Sequence, residues 1–262
     1  MEVRTLQKEE IPSALSLAEE VFMRAHPDNP AAGALLNGYI AARAPLLEYL
    51  GAFEDKLIGM LAYDPQNWHI CLFYTDYVHR GIGTQLFQKL LQAAEKARIS
   101  KITVNADVLA LPVYKALGFE NSGEVDESGG VPTQPMEYLL QKEWLGKEID
   151  VTIDHPCGSF HPHVPDLLYP CNCGYAEGIG TLDGDFQDVY VYGPEEPLET
   201  FHGIVIAIIY RRNESDSKWV AAASRDYDRQ DVINTIGPLE QYSDTRVIWL
   251  EKGVLKNLQV NC

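Results

Sequence analysis

Two runs of residues in this 262-residue chain have the types and spacing needed to handle phosphate or its counter-ions. The first is Tyr77-Val78-His79-Arg80-Gly81-Ile82-Gly83-Thr84, which opens a segment whose apolar residues Leu86, Leu90, Leu91 and Ala94 recur at helical spacing. A glycine-rich turn at a helix start brings backbone N–H groups and the positive end of the helix dipole to one point. Without Cβ atoms in the way, a phosphate can approach closely. The second run is Asp183-Gly184-Asp185-Phe186-Gln187-Asp188-Val189, with three carboxylates within six residues. Such groups repel one another unless a cation sits among them, and hard oxygen ligands select Mg²⁺ or Ca²⁺. Taken alone, each run has a plainer reading: a tight turn for Gly81 to Gly83, a solvated acidic turn for Asp183 to Asp188.

The elements that must position these runs fall into two groups. Up to about Gln141 the pattern is mixed: a strand at Glu2 to Leu6, helices at Ile11 to Met23 and Ala31 to Arg43, then strands at Leu47 to Phe53, Leu57 to Tyr63 and Trp68 to Tyr74. The glycine turn and its helix follow, then strands at Lys101 to Asn105 and Met136 to Leu140. From Val151 the sequence is strand-rich and broken by Pro, Gly and Asp, with one helix near Asp228 to Ile236. Between Lys147 and Arg211 there is no Lys or Arg at all. These changes place a boundary near Gly146, giving domains 1–146 and 147–262 in an α+β chain.

After the strand Lys101 to Asn105 comes Asp107-Val108-Leu109-Ala110-Leu111-Pro112-Val113-Tyr114-Lys115-Ala116-Leu117-Gly118-Phe119. With the upstream glycine turn, this segment makes the first half resemble the GNAT N-acetyltransferases. Those enzymes pair a pyrophosphate loop of the form R/Q-x-x-G-x-G/A with a later N-x-x-A-x-x-x-Y-x-x-L-G-F segment. The resemblance implies a mixed α/β sheet domain that binds acetyl-CoA. It implies that the amides of Arg80, Gly81, Ile82, Gly83 and Thr84 hold the pyrophosphate, and that Phe73 offers backbone groups to the thioester and pantetheine. Tyr114 falls on the family's usual general acid, which protonates the leaving thiolate. Val78 and Asp107 depart from the pattern, and Asp107 puts negative charge in a cofactor-binding position. For the general base, His69 is a candidate: an unperturbed histidine titrates near neutrality, and His69 lies two residues after Asn67, where the family often places a carboxylate, so in a strand it points to the same face. A polar edge or core histidine is the plainer alternative.

The second half resembles the soluble family I inorganic pyrophosphatases. Leu167-Leu168-Tyr169-Pro170-Cys171-Asn172-Cys173-Gly174-Tyr175 is followed by the acidic run, then by Asp216-Ser217-Lys218-Trp219-Val220 and Glu240-Gln241-Tyr242. The resemblance implies an OB-like five-stranded β-barrel. In it Asp183, Asp185, Asp188 and Asp216 would carry Mg²⁺. Tyr169, Lys218 and Tyr242 would face phosphate, with Asp154 in the outer acidic shell. The basic clamp that phosphoanhydride hydrolysis needs is short here. Only about a dozen residues separate Pro156 from Tyr169, Cys173 replaces a tyrosine, and Ser243 stands at a usual lysine position. Metal binding is therefore expected ahead of efficient hydrolysis. Zinc held by Cys157, His161, His163, Cys171 and Cys173 is a lesser alternative.

Net charge of −17 argues against a nucleic-acid partner, and no apolar run reaches the roughly 18 to 20 residues of a membrane span. Five cysteines without a disulfide-framework spacing read as reduced thiols. The expectation is a cytoplasmic two-domain acetyltransferase acting on a small-molecule or peptide amine, with pyrophosphate as the candidate ligand of the second half. The alternative is a diphosphatase whose first half senses CoA.

Overall fold

The computed structural model describes residues 1–29, 31–77, 80–162, 167–181, 184–211 and 216–251. The chain separates into two compact units, Met1–Leu140 and Gln141–Cys262. The stretch that opens the second unit is held there by its own side chains. Gln141 accepts hydrogen bonds from Ser217 and Trp219, and Trp144 packs on Trp219 with ring centroids 5.0 Å apart.

The first unit runs β1 (Glu2–Thr5), α1 (Ile11–Ala25), α2 (Ala32–Arg43), β2 (Glu48–Phe53), β3 (Leu57–Asp64), β4 (His69–Thr75), α3 (Ile82–Lys96), β5 (Lys101–Asp107), α4 (Leu111–Ala116), β6 (Glu120–Asn121) and β7 (Thr133–Leu139). The strands form one sheet in the order β1-β2-β3-β4-β5-β7-β6. All neighbours are antiparallel except β4 and β5, which are parallel. That parallel pair needs a crossover, and α3 supplies it. The apolar stripe read from the sequence is the buried one: Ile82, Leu86, Phe87, Leu90 and Ala94. Gly59 in β3 leaves room for it, since a Cβ there would lie 2.7 Å from Ile82. On the opposite face, Ala14 and Ala18 of α1 and Leu36 of α2 share a core with Met60, Ala62 and Leu72. One sheet thus has a helix layer on each side.

The second unit contains β8 (Glu148–His155), β9 (Asn172–Gly180), β10 (Phe186–Tyr192), β11 (Thr200–Arg211), β12 (Ser217–Ala222), α5 (Arg229–Glu240) and β13 (Thr245–Trp249). The order β12-β10-β9-β8-β11 closes because β11 also pairs with β12, giving a barrel of five strands. β11 is long enough to serve two partners on one edge: β8 along Thr200 to Ile204, β13 along Ala207 to Arg211. Closure brings β8 and β9 tightly together at Gly174, where a Cβ would fall 1.9 Å from the Thr152 carbonyl oxygen. Only glycine fits there. The helix expected at Asp228 to Ile236 runs on through Pro238 to Glu240, and Asp228 caps it by accepting the Asp231 N–H at 2.9 Å. Among the described residues no helix is long and apolar enough to cross a membrane.

Candidate functional site

In the first unit the site is created by two parallel strands that part. β4 pairs with β3 along its length, and β5 pairs with β7 from Lys101 to Asp107. β4 and β5 meet only at His69 with Thr103 and Ile70 with Val104. The cause is visible in the β3–β4 register, which steps from Tyr63 opposite Ile70 to Ala62 opposite Leu72. Cys71 is thus an extra residue, a bulge that bends β4 away from β5. Beyond it, Leu72 to Thr75 present a strand edge inside the sheet, the kind of edge that an extended, amide-bearing ligand can pair with.

At the open end lies the start of α3. Gly81 is its N-cap, with φ 71° and ψ 9°, a left-handed conformation that costs an L-residue free energy. Nothing lies within 4 Å of where its Cβ would be, so backbone conformation and not crowding calls for glycine. The first turn sits over Phe73, whose ring comes within 3.3 Å of a Cβ position on Gly83. Gly81 and Thr84 are exposed and Ile82 is buried, so the turn is anchored from beneath, and the first amides of α3 have no partner within the helix. The Arg80 side chain donates to Glu54 at 2.7 Å and is taken up there. Val78 and His79 lie outside the described residues.

Tyr114, on the short helix α4, is buried, with its ring centroid 6.0 Å from Phe73 and 5.4 Å from Phe119, edge-on to both. Burial pushes its phenol well above the ordinary value of 10.0, and the neighbouring Tyr74 phenol and Asp107 carboxylate add to the effect. The group therefore holds its proton throughout the neutral range. Tyr74 is shifted the same way, by burial and then by Asp107. The action of Asp107 on both phenols, and of Tyr74 on Tyr114, puts the three in one neighbourhood.

Asp107, the last residue of β5, has both oxygens engaged. One accepts the Leu109 N–H at 2.9 Å, and the other lies 2.5 Å from Nε2 of His26. His26 ends α1, with the Phe22 ring 4.7 Å away, and Phe22 in turn meets Tyr74 edge-on at 6.3 Å. Sequence reasoning named Asp107 and missed His26. The two are 81 positions apart, and nothing local marks a histidine at a helix end as a partner for a strand-end aspartate.

His69 lies elsewhere along the slot. It occupies the paired end of β4, and Phe73 follows four residues later, about 13 Å along a strand. Its Nδ1 is 2.9 Å from the Thr103 hydroxyl, and burial, helped by nearby Arg43, lowers its pKa. The alternation that put Asn67 and His69 on one face does not hold. Asn67 is in a turn, Trp68 takes φ 55°, and the Asn67 side chain accepts the His69 N–H at 3.1 Å.

In the second unit, Asp188 and Lys218 come side by side because β10 and β12 are parallel with Val189 opposite Trp219, and the Lys218 ammonium contacts the Asp188 carboxylate. The Tyr169 ring stacks with those of His155, at 4.7 Å, and His161, at 5.2 Å. Burial pushes its phenol up to about 12, and the neighbouring Cys173 thiol and the Asp154 and Asp188 carboxylates add to the shift. Asp185 is exposed, Asp216 is half-buried, and Tyr242 is 78% exposed. Asp183 and His163 lie outside the described residues. Among the described residues, no three His, Cys, Asp or Glu side chains converge as a metal site would require. Cys171 and Cys173 are buried with sulfurs 3.8 Å apart, and the four described cysteines are free.

Residues 18–140 match the family model described as an acetyltransferase (GNAT) domain, a little under half of the chain, and the first unit has the GNAT-type mixed α/β fold. The chain matches no curated protein. Similar solved structures include a GCN5-related N-acetyltransferase from Rhodopseudomonas palustris, 18% identical over 53% of this chain and 95% of that one, TM-score 0.47. Tetrahymena GCN5 is 19% identical over 54% and 97%, TM-score 0.42. An aminoglycoside 6'-N-acetyltransferase complexed with coenzyme A is 14% identical over 53% and 97%, TM-score 0.40.

Proposed function

We propose that the first unit transfers an acetyl group from acetyl-CoA to a primary amine on a small molecule or peptide. The match of residues 18–140 to the acetyltransferase (GNAT) domain carries this reading. The parting of β4 from β5 and the glycine turn at the foot of α3 support it. When bound, acetyl-CoA supplies an activated acyl group on a sulfur that can depart as a thiolate. The main-chain amides from Arg80 to Thr84 hold its pyrophosphate at the positive end of α3, so the phosphate contacts do not depend on the Arg80 side chain. The β4 edge at Phe73 receives the pantetheine amides. Tyr114, kept protonated by burial, gives its proton to the departing sulfur. In a thiol-release assay with a panel of primary amines, Tyr114→Phe should lower turnover about 100-fold while calorimetric coenzyme A binding is retained. Coenzyme A binding without thiol release from any amine would refute the transferase reading.

For the second unit we propose a divergent pyrophosphatase-like barrel. Closure of five strands and the juxtaposition of Asp188, Lys218 and Tyr169 support this reading. The described residues do not fit a hydrolytic multi-metal centre, because Lys218 already neutralises Asp188. No hydrolytic step is assigned to it. With pyrophosphate and Mg²⁺, the protein should release no phosphate. Release that is abolished by Asp185→Ala would instead make the chain a diphosphatase with a CoA-sensing first half.

A further inference from the structure

The transfer proposed above requires a group that removes a proton from the acceptor, since an ammonium nitrogen has no lone pair with which to attack a thioester. The contact between His26 and Asp107 has the form of such a group. The Asp107 carboxylate cannot swing, because one oxygen is tied to the Leu109 N–H at 2.9 Å. Its other oxygen lies 2.5 Å from Nε2 of His26, and the Phe22 ring fixes the imidazole from the side. Both side chains are largely buried, at 12% and 22% exposure. A carboxylate at Nε2 keeps the ring proton there, leaving the lone pair on Nδ1. The pair also stands where the chemistry is placed, since the charge of Asp107 acts on both Tyr74 and Tyr114. Arg24, in the last turn of α1, is turned to Asp76 at 3.6 Å, and Asp28, two residues beyond His26, is exposed.

We propose that His26, oriented by Asp107, accepts the proton of the acceptor ammonium. The N–H bond breaks toward Nδ1, and the freed nitrogen lone pair forms the C–N bond to the acetyl carbonyl carbon. As the tetrahedral adduct collapses, the C–S electron pair goes to sulfur, which takes the Tyr114 proton. The remaining extra proton on nitrogen restores the Tyr114 phenol. The products are the amide, the coenzyme A thiol and a His26 imidazolium, which returns its proton to solvent.

The assignment is tested with two acceptors of nearly the same shape, ethylamine and methoxyamine, each supplied at high concentration at neutral pH. Ethylamine is protonated there and needs a base, whereas methoxyamine is already neutral. In His26→Gln, transfer to ethylamine should fall about 100-fold or more while transfer to methoxyamine falls less than about threefold. Asp107→Asn, which keeps an oxygen for the Leu109 N–H, should give the same split in a milder form. Equal losses with both acceptors, or no loss with ethylamine, would overturn the role of His26 and leave the transferase reading standing. Wild-type protein that binds coenzyme A yet acetylates neither amine would overturn both.

Discussion

Single side chains in the first unit take their chemical states from what surrounds them. Tyr114 keeps its proton because it is buried among aromatic rings, and Asp107 keeps its position because both of its oxygens are bonded. A cleaner instance lies away from the site. The Arg4 guanidinium donates to both oxygens of Glu10 at 2.7 Å, and this bidentate contact, with the Gln7 N–H, holds the Glu10 carboxyl at about 2 instead of 4.5. Its folded pKa is depressed, so the stabilisation it gives is fully present above the ordinary carboxylate value and fades as pH falls toward about 2. NMR titration should find the Glu10 midpoint near the lower value in the wild type. In Arg4→Ala it should return toward the ordinary value. An unmoved midpoint would show that the Gln7 N–H alone sets it.

At the scale of elements, the slot depends on two local departures from regularity, the Cys71 bulge in β4 and the left-handed Gly81 that starts α3. Neither is a flaw in an otherwise ideal fold, because a regular β4 would pair with β5 along its whole length and leave no edge. Gly81→Ala has room for its methyl group but not the backbone angle, so it should cost about 1–2 kcal/mol in stability or relax the turn. Either way, coenzyme A affinity measured by calorimetry should fall about tenfold. Unchanged affinity would mean that the phosphate is held elsewhere. Within α3 itself, Leu90 is fully buried, and its helical-period partners account for why this element was legible from the sequence.

For the molecule as a whole, two compact units predict separable folding. A chain ending at Leu140 should melt in one cooperative transition and bind coenzyme A as the full chain does. A molten or insoluble fragment would show that the first unit needs the second. The charge pattern belongs to this scale too. With −17 overall and no Lys or Arg from Glu148 to Tyr210, the second unit's few cations carry weight, and Lys218 is spent on Asp188 and Arg211 on Glu240.

The sequence by itself determined the main elements of the first unit, the α3 stripe and the glycine turn, because these follow from local periodicity and from motifs held within short stretches; the five-stranded barrel was implied only by the resemblance of the second half to the pyrophosphatases. It placed the boundary near Gly146, while the compact units divide between Leu140 and Gln141, where side chains such as Gln141 and Trp144 choose their partners. Only the tertiary structure decided that β4 and β5 part after two pairs, that His69 sits at the closed end of the slot, and that His26 meets Asp107. Each of these depends on register and on contacts between residues far apart in the chain. Spacing within a segment cannot encode them, because long-range contacts form only when the whole sheet closes.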